Sequence, residues 1–293
     1  MKLRLMSVAL PALAVMLAIA FTAPTTAVAA KKCCAATKAP GNMLAIRLAS
    51  YYDARPDALE HAAACGFKYV FMNIIEPDKV EEVRGKLAEH GLKVAVFRGD
   101  TDLSRPGCVD EMATQLATCQ KMGVRYMFLS PKHKTVSKAV AIERLKKIGD
   151  VAKKHNVTIG LETHPDLGTN GDIHVATMKA IDHPNIRVNY DCANITYYNE
   201  GTDAVTELNK CIDYVGTFEF KDHDCKLESW CFPTLGEGKV DIPAVLKVLV
   251  DHGYRGPITL EIEGTKGVKR SAEEVKKEIS DSAKYIRSLG KFD

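Results

Sequence analysis

Two periodicities of apolar and polar positions take turns along this chain. Short apolar runs bounded by Gly, Pro or Asn recur as "MLAIRLA", "FKYVFMNI", "LKVAVF", "VRYMFLS", "VTIGLET", "IRVNYD", "YVGTFEF" and "PITLEIE". They have strand length and are rich in Val, Ile, Phe and Tyr, which suit a pleated, half-buried surface. Between and after them lie stretches with apolar residues three and four apart, such as "KVEEVRGKLAEHG", "AIERLKKIGDVAKKHN" and the C-terminal "AEEVKKEISDSAKYIRSLG". Gly or Asn just past the last apolar position marks where such helices stop. His90, His155, His183 and His252 fall in these last turns, where the helix dipole favours positive charge, so they read as surface caps rather than ligands.

Eight strand-helix units run from residue 43 to residue 293 with no linker between them. This predicts one α/β domain, a parallel sheet closed as a (β/α)8 TIM barrel. A doubly wound open sheet is disfavoured because no G-x-G-x-x-G follows the first strand. In a barrel the chemistry belongs at the C-terminal ends of the strands.

Residues 1–30 read differently. Lys2 and Arg4 precede an apolar stretch from Met6 to Phe21 and then Ala27-Val28-Ala29, the layout of a cleavable signal peptide. The expectation is an exported, periplasmic or secreted chain with no membrane attachment after cleavage, residues 31–42 forming a short extension. Lys31 and Lys32 stand where a lipoprotein signal has small apolar residues, which argues against a lipid on Cys33 or Cys34. Losing Lys2 and Arg4 takes the formal charge from +3 to +1, which leaves no electrostatic footprint for nucleic acid or an anionic membrane. The nine cysteines invite a disulfide reading in an exported chain. Cys65, Cys119 and Cys211 fall on helix faces as small hydrophobes, while Cys225 and Cys231 share a loop and are the pair a bridge would join.

Alternation along the strands assigns each residue to the helix layer or the barrel interior. On the fifth strand Ile159 and Leu161 go outward and Gly160, Glu162 and His164 inward; on the sixth, Val188 and Tyr190 go outward and Asn189 and Asp191 inward. On the seventh, Phe218 and Phe220 go outward and Thr217, Glu219 and Lys221 inward; on the eighth, Ile258, Leu260 and Ile262 go outward and Thr259, Glu261 and Glu263 inward. Several carboxylates therefore share one lumen near its C-terminal mouth. Buried unpaired carboxylates cost several kcal/mol each, so the concentration calls for a compensating cation. Hard oxygen ligands favour Mn²⁺ or Mg²⁺, with Zn²⁺, Co²⁺ or Fe²⁺ admitted if a histidine joins. The competing reading is a structural network in which Arg47 and Lys221 neutralise the acids.

At these residues the sequence resembles the xylose isomerase-like, sugar phosphate isomerase/epimerase superfamily. The pieces that carry the resemblance are "GLETHPD" from Gly160, "NYDCANI" from Asn189, "FKD" from Phe220, "LGEGKVDIP" from Leu235 and "GPITLEIEG" from Gly256. The resemblance implies a divalent metal held by Glu162, Asp191, a seventh-strand residue and Glu261. In that family the seventh-strand ligand is a histidine in H-x-K-D, and here Glu219 occupies its place. Three expectations follow: Glu219 ligates, His223 swings back to replace the imidazole, or the metal is lost.

The resemblance further implies a sugar isomerase or epimerase that moves a proton next to a keto-sugar carbonyl. Glu162 and Glu261 would be the acid/base pair, and His164, Asn194, Lys221 and His223 would contact a small carbohydrate substrate. With a leaving group β to the carbonyl, the same abstraction ends in elimination, as a lyase or dehydratase acting on an inosose or 3-keto-glycoside. A sugar-binding barrel that has lost catalysis is the competing class. The superfamily's nucleases need many more His and acidic ligands around several metals and a basic face, and export with a mature formal charge of +1 argues against that class. Association into a homo-oligomer is left open.

Overall fold

The computed structural model describes residues 41–293. The expected signal peptide, residues 31–40 of the extension, and Cys33 and Cys34 lie outside the described residues.

Strands β1 (Leu44–Arg47), β2 (Tyr69–Asn73), β3 (Lys93–Arg98), β4 (Tyr126–Leu129), β5 (Thr158–Glu162), β6 (Ile186–Asp191), β7 (Val215–Phe220) and β9 (Ile258–Leu260) close a barrel in that order. Every neighbouring pair is parallel, and β9 closes back on β1. Parallel pairing forces a crossover after each strand, which the helices supply. These are α1 (Ala58–Ala64), α2 (Val80–Glu89), α3 (Cys108–Met122), α4 (Lys138–Lys154), α5 (Gly171–Ile181), α7 (Ala204–Cys211), α8 (Ile242–Asp251) and α9 (Ala272–Leu289). Several start on a side chain that accepts from the first turn's free amides: Ser137 for α4, Asn170 for α5, Asp203 for α7 and Asp241 for α8. Ser271 and Glu274 form a reciprocal capping box on α9.

The outward strand residues, among them Ile159, Leu161, Val188, Tyr190, Phe218, Phe220 and Leu260, join the helices in one continuous core. Inside the barrel, Ala45, Phe71, Ala95, Val96 and Phe128 fill the side built by β1 to β4. The interior is thus apolar on one flank and acidic on the other, which sets the carboxylates against a low-dielectric wall.

Three features depart from the sequence expectation. The first apolar run leaves the sheet after Arg47 and turns into a 3-10 segment, Leu48–Asp57. A further short helix, α6 (Cys192–Tyr198), starts directly at the end of β6, and a pair of two-residue strands, β8 (Cys231–Phe232) and β10 (Gly264–Thr265), tie two loops together antiparallel over the C-terminal mouth. Cys225 and Cys231 are free thiols, so the bridge considered for that loop is absent. No helix among the described residues is long and apolar enough to cross a membrane.

Candidate active site and metal centre

Register brings the acids together. Asp191 on β6 pairs with Glu219 on β7, Glu219 pairs with Thr259 on β9, and Glu162 on β5 pairs with Asn189 on β6. Because alternate side chains share a face, Glu261, two residues beyond Thr259, enters the same space one layer higher. One carboxylate oxygen from each of Asp191, Glu219 and Glu261 lies within 4.8 Å of the other two. All three side chains are buried.

Two cations thread this cluster. Arg47 Nη1 contacts Glu261 and lies 3.2 Å from Glu219 Oε1, its guanidinium resting 4.9 Å from the Phe71 ring centroid. Lys221 Nζ lies 2.6 Å from Glu263, 3.3 Å from Glu261 and 3.6 Å from Asp191, and donates to Asn194 Oδ1 at 3.2 Å. Asn189 Nδ2 donates to Glu219 Oε2 at 3.0 Å. The ion-pair network is therefore present alongside the acidic triad. It does not balance the charge, since Arg47 and Lys221, with Arg98 acting on Glu261 from beyond contact distance, face Glu162, Asp191, Glu219, Glu261 and Glu263.

The imbalance sets the protonation states. Burial pushes Glu162 up to about 7, with Glu261 adding to the rise and Arg47 and a hydrogen bond from Ser130 opposing it. Burial likewise lifts Asp191 to about 6 against the pull of Lys221, and holds Glu219 well above the usual carboxylate range. Glu261 moves the other way: burial would raise it, but Arg47 and Lys221 together outweigh burial and hold it below its ordinary value.

Asp191 supplies the observation that bears on a metal. Its Oδ1 accepts the amides of Ala193 and Asn194 and so caps α6, but its buried Oδ2 has no hydrogen-bond partner. A buried oxygen without a hydrogen bond, its nearest cation Lys221 Nζ at 3.6 Å, in a nest of carboxylates is a fit for a hard divalent cation, which Asp191, Glu219 and Glu261 would hold.

Above the triad opens a cavity of about 140 Å³ walled by Glu162, His164, Asn194, Lys221, Glu261 and Glu263, with Arg47, Tyr197, Tyr198, Trp230 and Phe232 completing the lining. A larger cavity, about 510 Å³, sits at the opposite end of the barrel by Tyr69, Lys93 and Tyr126, the first residues of their strands or next to them, away from the carboxylates.

A family model described as xylose isomerase-like TIM barrel matches residues 59–289. The chain belongs to that family. Among solved structures it is similar to a xylose isomerase domain protein from Planctomyces limnophilus, 21% identical with a TM-score of 0.68 over 85% of this chain and 98% of that one. It is also similar to D-psicose 3-epimerase from Clostridium cellulolyticum H10, 17% identical with a TM-score of 0.69 over 84% and 99%. A probable 3-DHS dehydratase from Bacillus anthracis is 15% identical with a TM-score of 0.65 over 83% and 98%. These likenesses establish a shared fold. An uncharacterized protein of Methanocaldococcus jannaschii is 25% identical over 136 residues, a match spanning 45% of this chain and about half, 46%, of that relative.

In this xylose isomerase-like barrel, the residues singled out in the sequence divide into three groups. Asp191, Glu219 and Glu261 form the triad, with Glu162 outside it on the cavity wall. His164, Asn194 and Lys221 line the cavity beside them. The His164 ring is held between Tyr198 OH at 2.8 Å and Pro165 O at 3.1 Å, and burial lowers its pKa. His223 goes elsewhere: its Nδ1 pairs with Thr196 at 2.8 Å and its Nε2 with Ser229 O at 2.7 Å, and the side chain is fully buried behind Phe232, with the rings stacked 5.0 Å apart. Both nitrogens are engaged in holding the β7 loop, so His223 neither replaces the missing imidazole nor faces the cavity. Sequence reasoning passed over Tyr197, Tyr198, Trp230 and Phe232. The single tryptophan of the chain, beside the charged "KDHD", was the one available signal for them.

Proposed function

We propose that the protein is a divalent-metal-dependent isomerase or epimerase of keto-sugars. The observation that carries this is the pair Glu162 and Glu261, the first half-buried and the second buried on one small polar cavity, whose surroundings drive their pKa values apart. Such a split is what acid/base assignments require. Glu261, ionised, takes the proton from the carbon next to the carbonyl, and the electron pair left behind moves onto the carbonyl to form an enediolate. A proton returned to the opposite face inverts that carbon, and Glu162, whose pKa burial raises in the metal-free fold, is the group placed to give it. Lys221, Asn194 and His164 hold the hydroxyls and fix which carbon reacts. A divalent cation on Asp191, Glu219 and Glu261 would supply Lewis acidity toward the carbonyl and charge balance, and the all-oxygen donors favour Mn²⁺ or Mg²⁺.

Elimination is the second reading, favoured by a protonated Glu162, which can serve a leaving group as well as a carbon. The signal-like leader supports an exported setting and hence an unphosphorylated substrate. The test is solvent-deuterium exchange: protein loaded with Mn²⁺ is incubated with ketohexoses in D₂O, and deuterium next to the carbonyl is read by NMR. Exchange lowered by about 10²-fold or more in Glu162→Gln and Glu261→Gln is the expected result. A panel of ketoses showing no exchange and no elimination would leave a binding protein as the better account.

A further inference from the structure

Trp230 lines the cavity and is also 43% exposed. It is the one exposed residue of that lining, so it marks the mouth. Its ring is not a loose surface side chain. Its plane stands perpendicular to Tyr197, centroids 6.0 Å apart at 87°, and to Phe232 at 5.4 Å and 85°. The backbone beneath it is fastened as well: Trp230 O accepts Lys266 N–H at 2.9 Å, Glu228 N–H donates to Tyr197 O at 2.9 Å, and β8 begins at the next residue. A large apolar surface is thus held open to water at considerable hydrophobic cost, in one orientation, at the rim of a sugar-sized polar cavity.

Size decides what meets it. The cavity of about 140 Å³ is well under the ~300–1,000 Å³ of pockets that enclose a drug-sized ligand, so a ligand longer than one sugar unit extends out past Trp230. The C–H face of a pyranose is apolar and flat, and an aromatic face is its natural support. We propose that Trp230 is the platform for a second sugar ring, so that the substrate is a keto-sugar carrying a glycosidically linked sugar rather than a free monosaccharide. This rests on the keto-sugar reading above and adds its substrate class.

Because the chain has one tryptophan, its emission reports on this position alone. The Mn²⁺-loaded protein is titrated with D-fructose and with the keto-disaccharides turanose, maltulose and palatinose, following fluorescence and calorimetry. At least one disaccharide is expected to bind tenfold or more tighter than fructose and to shift the Trp230 emission. Calorimetry on Trp230→Ala should show most of that preference gone, and on Trp230→Phe, which keeps a flat ring, most of it retained. Fructose binding as tightly as all three disaccharides, or a preference that survives Trp230→Ala, overturns the platform. Deuterium exchange into D-fructose and into the same three keto-disaccharides by the unaltered protein separates the two ideas: exchange without disaccharide preference removes only the platform, and disaccharide preference with no exchange or elimination in any of the four sugars removes only the chemistry. Absence of both removes both.

Discussion

Glu162 and Glu261 face one cavity, yet in the metal-free fold one is near half-protonated at neutrality and the other is held ionised. The difference lies in neighbours, since Arg47 and Lys221 contact Glu261 while Glu162 has no ion pair within contact distance. This has a consequence for stability. The Glu162 pKa is raised from 4.5 in the unfolded chain to about 7 in the fold, so between these values the folded state binds more protons. Its contribution to stability is full below about pH 4.5 and is lost as pH rises through 7. Without metal, Glu162→Gln should gain about 3 kcal/mol over the parent at pH 8 and nothing at pH 4, measured by urea unfolding at both. A gain that does not change with pH would assign it to packing instead. At this scale strand alternation was enough to read which acids point inward. The hydrogen bonds that hold His223 away from the cavity come from Thr196 and Ser229, on elements remote in sequence, and no local pattern announces them.

The turn from β6 into α6 shows what an element adds. Asp191 ends a strand, caps the following helix with one oxygen and leaves the other in the acidic cluster. That helix, Cys192–Tyr198, escaped the sequence reading because its seven residues are too few to show an amphipathic period, yet it delivers Asn194, Tyr197 and Tyr198 to the cavity. The β8–β10 pairing likewise joins segments more than thirty residues apart, and its two-residue strands carry no alternation to detect. Strand β5 was legible, including its glycine. A Cβ at Gly160 would lie 2.2 Å from Thr217 Oγ1 and 3.1 Å from Asn189 Cβ, so the inward face of β5 has no room for a methyl group below Glu162. Thr217 donates to Asn189 Oδ1, and Asn189 donates to Glu219, so displacing Thr217 disturbs the triad. Gly160→Ala is expected to cost about 1–3 kcal/mol in thermal or urea unfolding and to weaken metal binding. Parent-like behaviour in both would show that β7 moves aside freely.

For the molecule as a whole, the acidic flank is a concentration of like charge that the barrel must hold together. A divalent cation binding only the folded state stabilises it by mass action, about 2.7 kcal/mol at a hundredfold excess over its Kd. Mn²⁺ is therefore expected to raise the Tm of chelator-treated protein by several degrees, and Glu219→Ala to lower the affinity at least ~tenfold. A Tm that ignores both Mn²⁺ and Mg²⁺ would favour neutralisation by Arg47, Lys221 and protons alone.

Period and order in the sequence determined the barrel: eight buried strands with helices between them admit few other closed arrangements, and alternation within each strand depends only on local backbone geometry. The same alternation pointed Glu162, Asp191, Glu219 and Glu261 into one lumen. Which three form a ligand set, which carboxylate keeps its proton, and that Trp230 stands at the mouth were decided only by tertiary structure. Those properties depend on distances between side chains from different strands and loops, and on a charge balance and burial that exist only once the barrel has closed.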